Sequence, residues 1–305
     1  MIDSEVSRAC PVCGSHRAEP YMQKGALRLV RCQDCAMIYA NPVPSAYASG
    51  QYYDETASGY YLSPAKLESD YAPVRFEREL KLFRKYSGCG VVLDVGCSSG
   101  AFLYQLNKRY PGDYEVIGLD ASGPALDFAS SRGVPVVRGD FLDQSFDQRR
   151  FDAITFWAVL EHLFEPRAFL NKAWSMLKPG GLCYVLVPNM KSLATRLLGA
   201  RYRYIYHQHL NYFNRATLSR LVEGQFSIRE FRSIHFNPVV LWQDWRSSGA
   251  EVSNEQRAAL LQRTTAYKQN PLLKPMKVAY TFSEKCLGIL DLADNLAAVL
   301  VRKPS

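Results

Sequence analysis

Apolar and polar positions fall into three regimes along the chain. Through about residue 45 apolar residues are sparse, and "ALRLVRC" (26–32) alternates as a half-buried strand does. Residues 46–88 follow as a connector rich in Pro, Ser, Gly and Tyr. They end in "AKLESDYAPVRFERELKLFRKY", whose apolar residues recur at helical spacing with a break near Pro73. From residue 89 the pattern becomes strand, glycine turn, helix, strand. "VVLDV" is a continuous apolar strand and "GCSSG" a turn, with the helical pattern "AFLYQLNKRY" after it. "YEVIGLD" and "VPVVRGD" are further strands, each ending in an acid, with the helix "GPALDFASSRG" between them. "FDAITFW" is a fourth strand, "EPRAFLNKAWSMLKPGG" a helix with a glycine stop, and "LCYVLVPN" a fifth strand. "FSIREFRSIHF" is a sixth strand and "NLAAVLVRK" the last, with a helical insertion between them at about 254–290. Strands alternating with helices predict an α/β fold with an open parallel sheet, helices on both faces, and ligands at the carboxyl ends of the strands.

Composition excludes several classes. With 48% hydrophobic and 22% charged residues the chain can bury a sizeable core. The start, "MIDSEVSRAC", carries no apolar stretch, and no run reaches the ~18 apolar residues of a membrane span. These features predict a soluble, cytoplasmic protein. A formal charge of +8 suits an anionic substrate or a nucleic acid, but no block of consecutive Lys or Arg concentrates it.

Four of the eight cysteines fall as Cys10-Pro-Val-Cys13 and Cys32-Gln-Asp-Cys35, eighteen residues apart. That is the spacing of a four-thiolate zinc site, with a hairpin bringing the two pairs together. Four thiolates close a tetrahedron, so the expected Zn2+ is structural, in a ribbon spanning residues 1–45. Cys89, Cys97, Cys183 and Cys286 are scattered, as thiols in a reducing compartment are.

The turn after the first strand limits the cofactor. Gly96 and Gly100 flank Cys97-Ser-Ser, so the Gly-x-Gly-x-x-Gly of dinucleotide enzymes fails in its middle. Asp94, inside that strand, suits a cationic ligand end better than a pyrophosphate. Asp120, twenty residues after Gly100, suits a ribose diol. In their order, "LDVGCSSGAFL", "VIGLDAS", "RGDF", "FDAITFWAVLEHL" and "LKPGG" resemble the class I S-adenosylmethionine-dependent methyltransferases, over residues 89 to about 235. The glycine usual at Ser98 is absent. The resemblance implies a seven-stranded Rossmann-like sheet over 89–305, its last strand antiparallel between the fifth and sixth. It also implies that Asp94 and the Gly96–Cys97 backbone meet the methionine end of S-adenosyl-L-methionine and that Asp120 takes the ribose. Asp140 would take the adenine amino group with Phe141 beside it, and Trp157 would close the pocket. With "CPVCG" and "RCQDCAMIYANPVP" in front, the chain resembles bacterial methyltransferases of sugar, lipopolysaccharide and secondary-metabolite pathways.

The run "RYRYIYHQHLNYF" (201–213) follows the fifth strand, where the resembled family walls its acceptor pocket. Histidine suits removal of a hydroxyl proton near neutral pH. His209 is the first candidate for a general base and His207 the second, since two-residue spacing in an extended segment points both to one face. Glu161-His162 reads as pocket architecture, with His162 a secondary base. Arg201 and Arg203 are candidates to hold an anionic group of the acceptor. The reading is O-methylation of a small or carrier-bound metabolite. The rival is C-methylation of a nucleotide-linked keto-sugar, although a longer C-terminal domain is missing for it. An RNA acceptor fits the charge but lacks the Asn-Pro-Pro-aromatic motif, and a non-catalytic binding module is opposed by the acids at the strand ends.

Overall fold

The computed structural model describes residues 5–48, 58–247, 252–270 and 274–304. The N-terminal segment forms β1 (Glu5–Val6), β2 (Ala18–Lys24), β3 (Leu27–Cys32), β4 (Ile38–Ala40) and β5 (Val43–Pro44). The second body of strands is β6 (Gly90–Val95), β7 (Tyr114–Asp120), β8 (Val136–Arg138), β9 (Phe151–Trp157), β10 (Leu177–Pro188), β11 (Asn211–Tyr212), β12 (Phe226–Ile234) and β13 (Asn295–Arg302).

Seven of these make one sheet in the order β12-β13-β10-β9-β6-β7-β8. β6 is parallel to β7 and β9, while β13 runs antiparallel to both β10 and β12. This is the expected Rossmann-like α/β arrangement, down to the inserted antiparallel strand. Alternate residues of each strand feed two apolar layers, as a sheet covered on both faces requires. Leu93, Val95, Ile154 and Phe156 pack into one layer, and Val92, Val116 and Ala153 into the other. The chain leaves β6 toward β7 on one side and returns as β9 on the other. The crevice at their carboxyl ends is therefore the topological switch point where such sheets bind ligands.

Residues 46–88 place the helices Pro64–Asp70 and Glu77–Tyr86 on either side of Pro73, while residues 49–57 of that connector lie outside the described residues. The Tyr71 hydroxyl donates to the Ser99 carbonyl at 2.5 Å, and Gln105 Nε2 donates to Tyr71 O at 2.6 Å. These bonds hold the end of the first helix over the loop after β6. The stretch 254–290 holds the helices Asn254–Gln269 and Lys274–Ile289; the first packs on Pro64–Asp70 and the second along β12. One expected boundary moves. The helix Pro166–Met176 ends before the glycines, and Lys178-Pro179-Gly180-Gly181 lies in an irregular start to β10. No helix among the described residues is long and apolar enough to cross a membrane.

The ribbon is joined to the large sheet's body by the aromatic run itself. β11, from "HLNYF", pairs antiparallel with β4, extending the sheet β11-β4-β3-β2. Met37, Tyr39 and Phe213 belong to the same apolar layer as Leu93 and Phe156. Arg8 fastens this seam: its Nη1 donates to Phe164 O at 2.7 Å, and its Nη2 to Leu210 O at 2.7 Å and Asn211 Oδ1 at 2.9 Å. Its guanidinium also lies 5.4 Å from the Tyr39 ring and 5.2 Å from the Phe164 ring.

Candidate active site

The loop after β6 turns through left-handed backbone at Gly96 (φ 74), Ser98 (φ 50) and Gly100 (φ 73). Positive φ is costly for a side chain, which is the physical reason glycine suits position 98, yet the serine adopts it here. The Asp120 carboxylate ties the turn down, accepting from Ser98 N at 2.8 Å and Ser122 N at 2.9 Å. Asp94 accepts from the Thr155 hydroxyl at 2.6 Å, and burial pushes its carboxyl up to about 7. Asp120 is also raised, mainly by burial. Gly118 on β7 is needed because a Cβ there would lie 2.6 Å from Cys97 Sγ. A buried acid and a half-buried one beside a left-handed backbone cradle fit a ligand with an ammonium and a ribose diol.

Asp140 and Phe141 follow β8. Asp140 Oδ1 accepts from Leu142 N at 2.7 Å and so caps a single helical turn, Phe141–Asp143. The Phe141 ring is buried against Phe156 and Phe169. Trp157 ends β9 beside Phe102 and Tyr184, its indole N–H buried without a partner.

Beyond Trp157 the loop carries Glu161 and His162 against the aromatic run. Leu210 N and Asn211 N both donate to Glu161 O, at 2.7 and 3.0 Å. Asn211 Nδ2 donates to Leu160 O at 2.8 Å and Leu163 O at 2.7 Å. This backbone lacing brings His162 and His209 together, with ring centroids 4.8 Å apart. His162 Nδ1 bonds Gln208 O at 2.9 Å and His209 Nδ1 bonds Tyr204 O at 3.0 Å, so both Nδ1 atoms donate and each Nε2 carries the lone pair. His162 Nε2 lies 4.0 Å from Glu161 Oε1. The Glu161 side chain is 1% exposed and its Oε2 has no hydrogen-bond partner. Burial pushes that carboxyl up to about 8 and His162 down to about 4. His209 is held well below its ordinary value, chiefly by burial. Both rings are therefore neutral at physiological pH.

His207 does not share this position. Residues 202–208 form turns and no extended strand, so two-residue spacing does not put both histidines on one face. His207 lies against Tyr47 and Tyr206, at centroid distances of 5.6 and 5.9 Å. Arg203 is also committed elsewhere, paired with Asp244 at 2.6 Å and nearly buried, and Arg201 is exposed. Arg203 is therefore taken up by Asp244 and not available as an acceptor anchor.

Sequence reasoning missed three contributors. Glu161, weighed only as architecture, is the buried carboxyl of the cluster. Tyr61, at the end of the short helix Ser58–Tyr61, is pushed up chiefly by burial, with Tyr206, Tyr60, Asp120 and Glu161 adding to the shift. Arg257, from the helical insertion, lies 4.0 Å over the Tyr206 ring and lowers both His162 and His209. Arg257 sits in a helix with no recognisable motif, so only the fold could reveal it.

A family model described as a methyltransferase domain matches residues 70–225, just over half of the 305. The chain is 31% identical over 166 residues to a ubiquinone biosynthesis O-methyltransferase of Rhodopseudomonas palustris (strain BisB18), covering 50% of this chain and 64% of that one. A protein of the same description from strain HaA2 is 28% identical over 209 residues, covering 63% and 81%. The first of these matches thus spans less than two thirds of the relative's length. Among solved structures, a SAM-dependent methyltransferase of Thermotoga maritima superposes with a TM-score of 0.52 at 15% identity, covering 83% of this chain and 99% of that one. Phosphoethanolamine N-methyltransferase 2 of Haemonchus contortus gives 0.53 at 15%, covering 88% and 63%. At these identities the structures speak for the fold alone.

Proposed function

The chain belongs to the class I S-adenosylmethionine-dependent methyltransferases, and we propose that it methylates a hydroxyl oxygen of a small or carrier-bound metabolite. One observation carries this reading: the Glu161–His162–His209 cluster forms where the loop leaving β9 meets the aromatic run, and β9 lies parallel beside β6, whose carboxyl end carries Asp94 and the glycine turn. The O-methyltransferase relatives support the choice of oxygen.

The cofactor supplies a methyl group on a sulfonium, already a good leaving group. The protein's tasks are then alignment and proton removal. Asp94, the Gly96–Cys97 backbone and Gly100 would hold the methionine end and Asp120 the ribose. Asp140 and Phe141 would flank the adenine, and Trp157 would wall the pocket. Tyr61 and the helices after it cover the crevice, keeping water from the reacting atoms. The acceptor hydroxyl is presented to His209 Nε2, which takes its proton. The cofactor, when bound, would give its methyl group to that oxygen and keep the sulfur–carbon electron pair. His162 and Glu161 orient the acceptor oxygen beside His209, and His207 lines the approach by Tyr47. Held neutral by burial, His209 offers a lone pair but little basicity of its own. Zn2+ in the ribbon would be structural. Cys10 and Cys35 sulfurs lie 3.4 Å apart and Cys13 and Cys32 sulfurs 3.5 Å. Thiolates about 2.3 Å from one zinc stand about 3.8 Å from each other, so the four present fit that ion.

The test is turnover with carbon-13-methyl S-adenosylmethionine and the metabolite pool of the host, followed by carbon NMR of the product. A methoxyl resonance supports the proposal. A C-methyl signal on a sugar, or label recovered in RNA, would replace it.

A further inference from the structure

We infer that Glu161, His162 and His209 form a binding site for a divalent first-row metal ion, distinct from the cysteine site in the ribbon. Metal-ligating atoms of the three residues lie within 4.8 Å of one another. Both imidazoles have their Nδ1–H held by a backbone carbonyl, Gln208 O for His162 and Tyr204 O for His209. That outer bond is the arrangement which fixes the tautomer of a metal-ligating histidine and leaves Nε2 to bind. The second, independent observation is Glu161 Oε2, a carboxylate oxygen fully buried beside the two rings with no hydrogen-bond partner. Buried carboxyl oxygens normally find a partner, and one left over at the meeting point of two imidazoles asks for a cation, whose binding also displaces the carboxyl proton.

The scaffold around the three is rigid. Glu161 O receives two backbone N–H bonds from Leu210 and Asn211, and the Asn211 side chain binds the carbonyls on either side of the Glu161-His162 pair. Ligand atoms about 2.0–2.2 Å from one ion stand about 3.4 Å apart in a tetrahedron, so the three side chains would close by about 1 Å around it. Two imidazole nitrogens and one carboxylate suit Zn2+, Co2+, Fe2+ or Mn2+ rather than Mg2+ or Ca2+, which prefer all-oxygen sets. Three protein ligands leave coordination open for the acceptor oxygen. With the ion bound, His209 is its ligand and no longer the base: the ion lowers the pKa of the hydroxyl, whose proton leaves to water, a task that a neutral imidazole does poorly. The purpose assigned to the ion rests on the methyl-transfer reading; the binding of the ion does not.

The experiment is a Co2+ titration of the full chain with its ribbon saturated in zinc, followed by visible absorption and equilibrium dialysis. The expected result is one additional equivalent of cobalt with nitrogen–oxygen d–d bands and no thiolate charge transfer. Affinity should fall at least tenfold in Glu161→Gln and again in His209→Gln. Retained ribbon zinc shows that a variant is folded, and His162→Gln serves where either of those is not. Cobalt taken up only as a thiolate complex, or uptake unchanged in folded variants, overturns the site. Cobalt bound at the cluster without methyl transfer to any acceptor would instead remove the methyl-transfer reading and leave the site standing. Transfer that proceeds without cobalt uptake and survives chelation would do the reverse.

Discussion

Arg8→Ala is the sharpest structural perturbation, because one side chain spans the seam between ribbon and catalytic sheet. It removes two 2.7 Å bonds to the carbonyls of Phe164 and Leu210 and a 2.9 Å bond to Asn211 Oδ1. Burial lowers the guanidinium to about 10, so it stays charged at neutral pH. Charge-assisted bonds of this kind contribute about 1.5–3 kcal/mol each when buried. Arg8 is only half-buried, so we take about 3 kcal/mol for the whole set, including its place against Tyr39 and Phe164. For a chain of this size that is a fall of about 5 °C in the thermal midpoint, read by differential scanning fluorimetry. Arg17→Ala is the control: its pair with Asp34 lies at the surface, with 72% of the arginine exposed, and should cost almost nothing. Because Leu210 and Asn211 also hold Glu161, the Arg8 variant should lose turnover in excess of its unfolded fraction. A midpoint within about 1 °C of the wild type would refute the clamp and the coupling of ribbon to site.

Three further outcomes follow from the structure. Asp94, raised to about 7, keeps its proton when folded while the unfolded chain releases it near pH 4; wild-type stability therefore falls as pH rises between about 4 and 7 and levels off above. Asp94→Asn should abolish that fall, gaining about 2–3 kcal/mol on the wild type between about pH 5 and pH 8 in urea unfolding, and a constant difference would show that the carboxyl is already ionised. Gly118→Ala forces a methyl group to 2.6 Å from Cys97 Sγ, and should cost about 1–3 kcal/mol and weaken S-adenosylhomocysteine binding in calorimetry; unchanged affinity would mean that the Cys97 loop does not form the cradle. Cys13→Ser should lose one zinc per chain by elemental analysis and lower the thermal midpoint, whereas a wild-type chain without zinc would refute the ribbon site.

Much of this was written in the sequence, for identifiable reasons. Strands such as "VVLDV" and "YEVIGLD" are buried on both faces, so their apolar runs mark them directly, and the acids at their ends fall at the ligand crevice by topology. His209 could be picked out because its neighbours are aromatic. Its relation to Glu161 and His162 could not, since it depends on backbone lacing between segments 48 residues apart in the chain, as at Asn211 and Leu163. Local alternation failed at His207 because tertiary contacts fold 202–208 into turns. Arg203 illustrates the same limit: a cation in an aromatic run looks available until a distant Asp244 is brought beside it. Arg8 gave no signal at all, because its partners are carbonyl oxygens supplied by loops more than 150 residues away.

The central claim is methyl transfer at the β9 crevice with His209 acting on the acceptor. Its most direct test is methyl-labelled S-adenosylmethionine turnover against separated metabolite, carrier-protein and RNA fractions of a host extract, with His209→Ala beside the wild type. The account predicts label in the metabolite or carrier fraction and at least a hundredfold loss in a folded variant. Label in RNA, or transfer at the wild-type rate without His209, would contradict it.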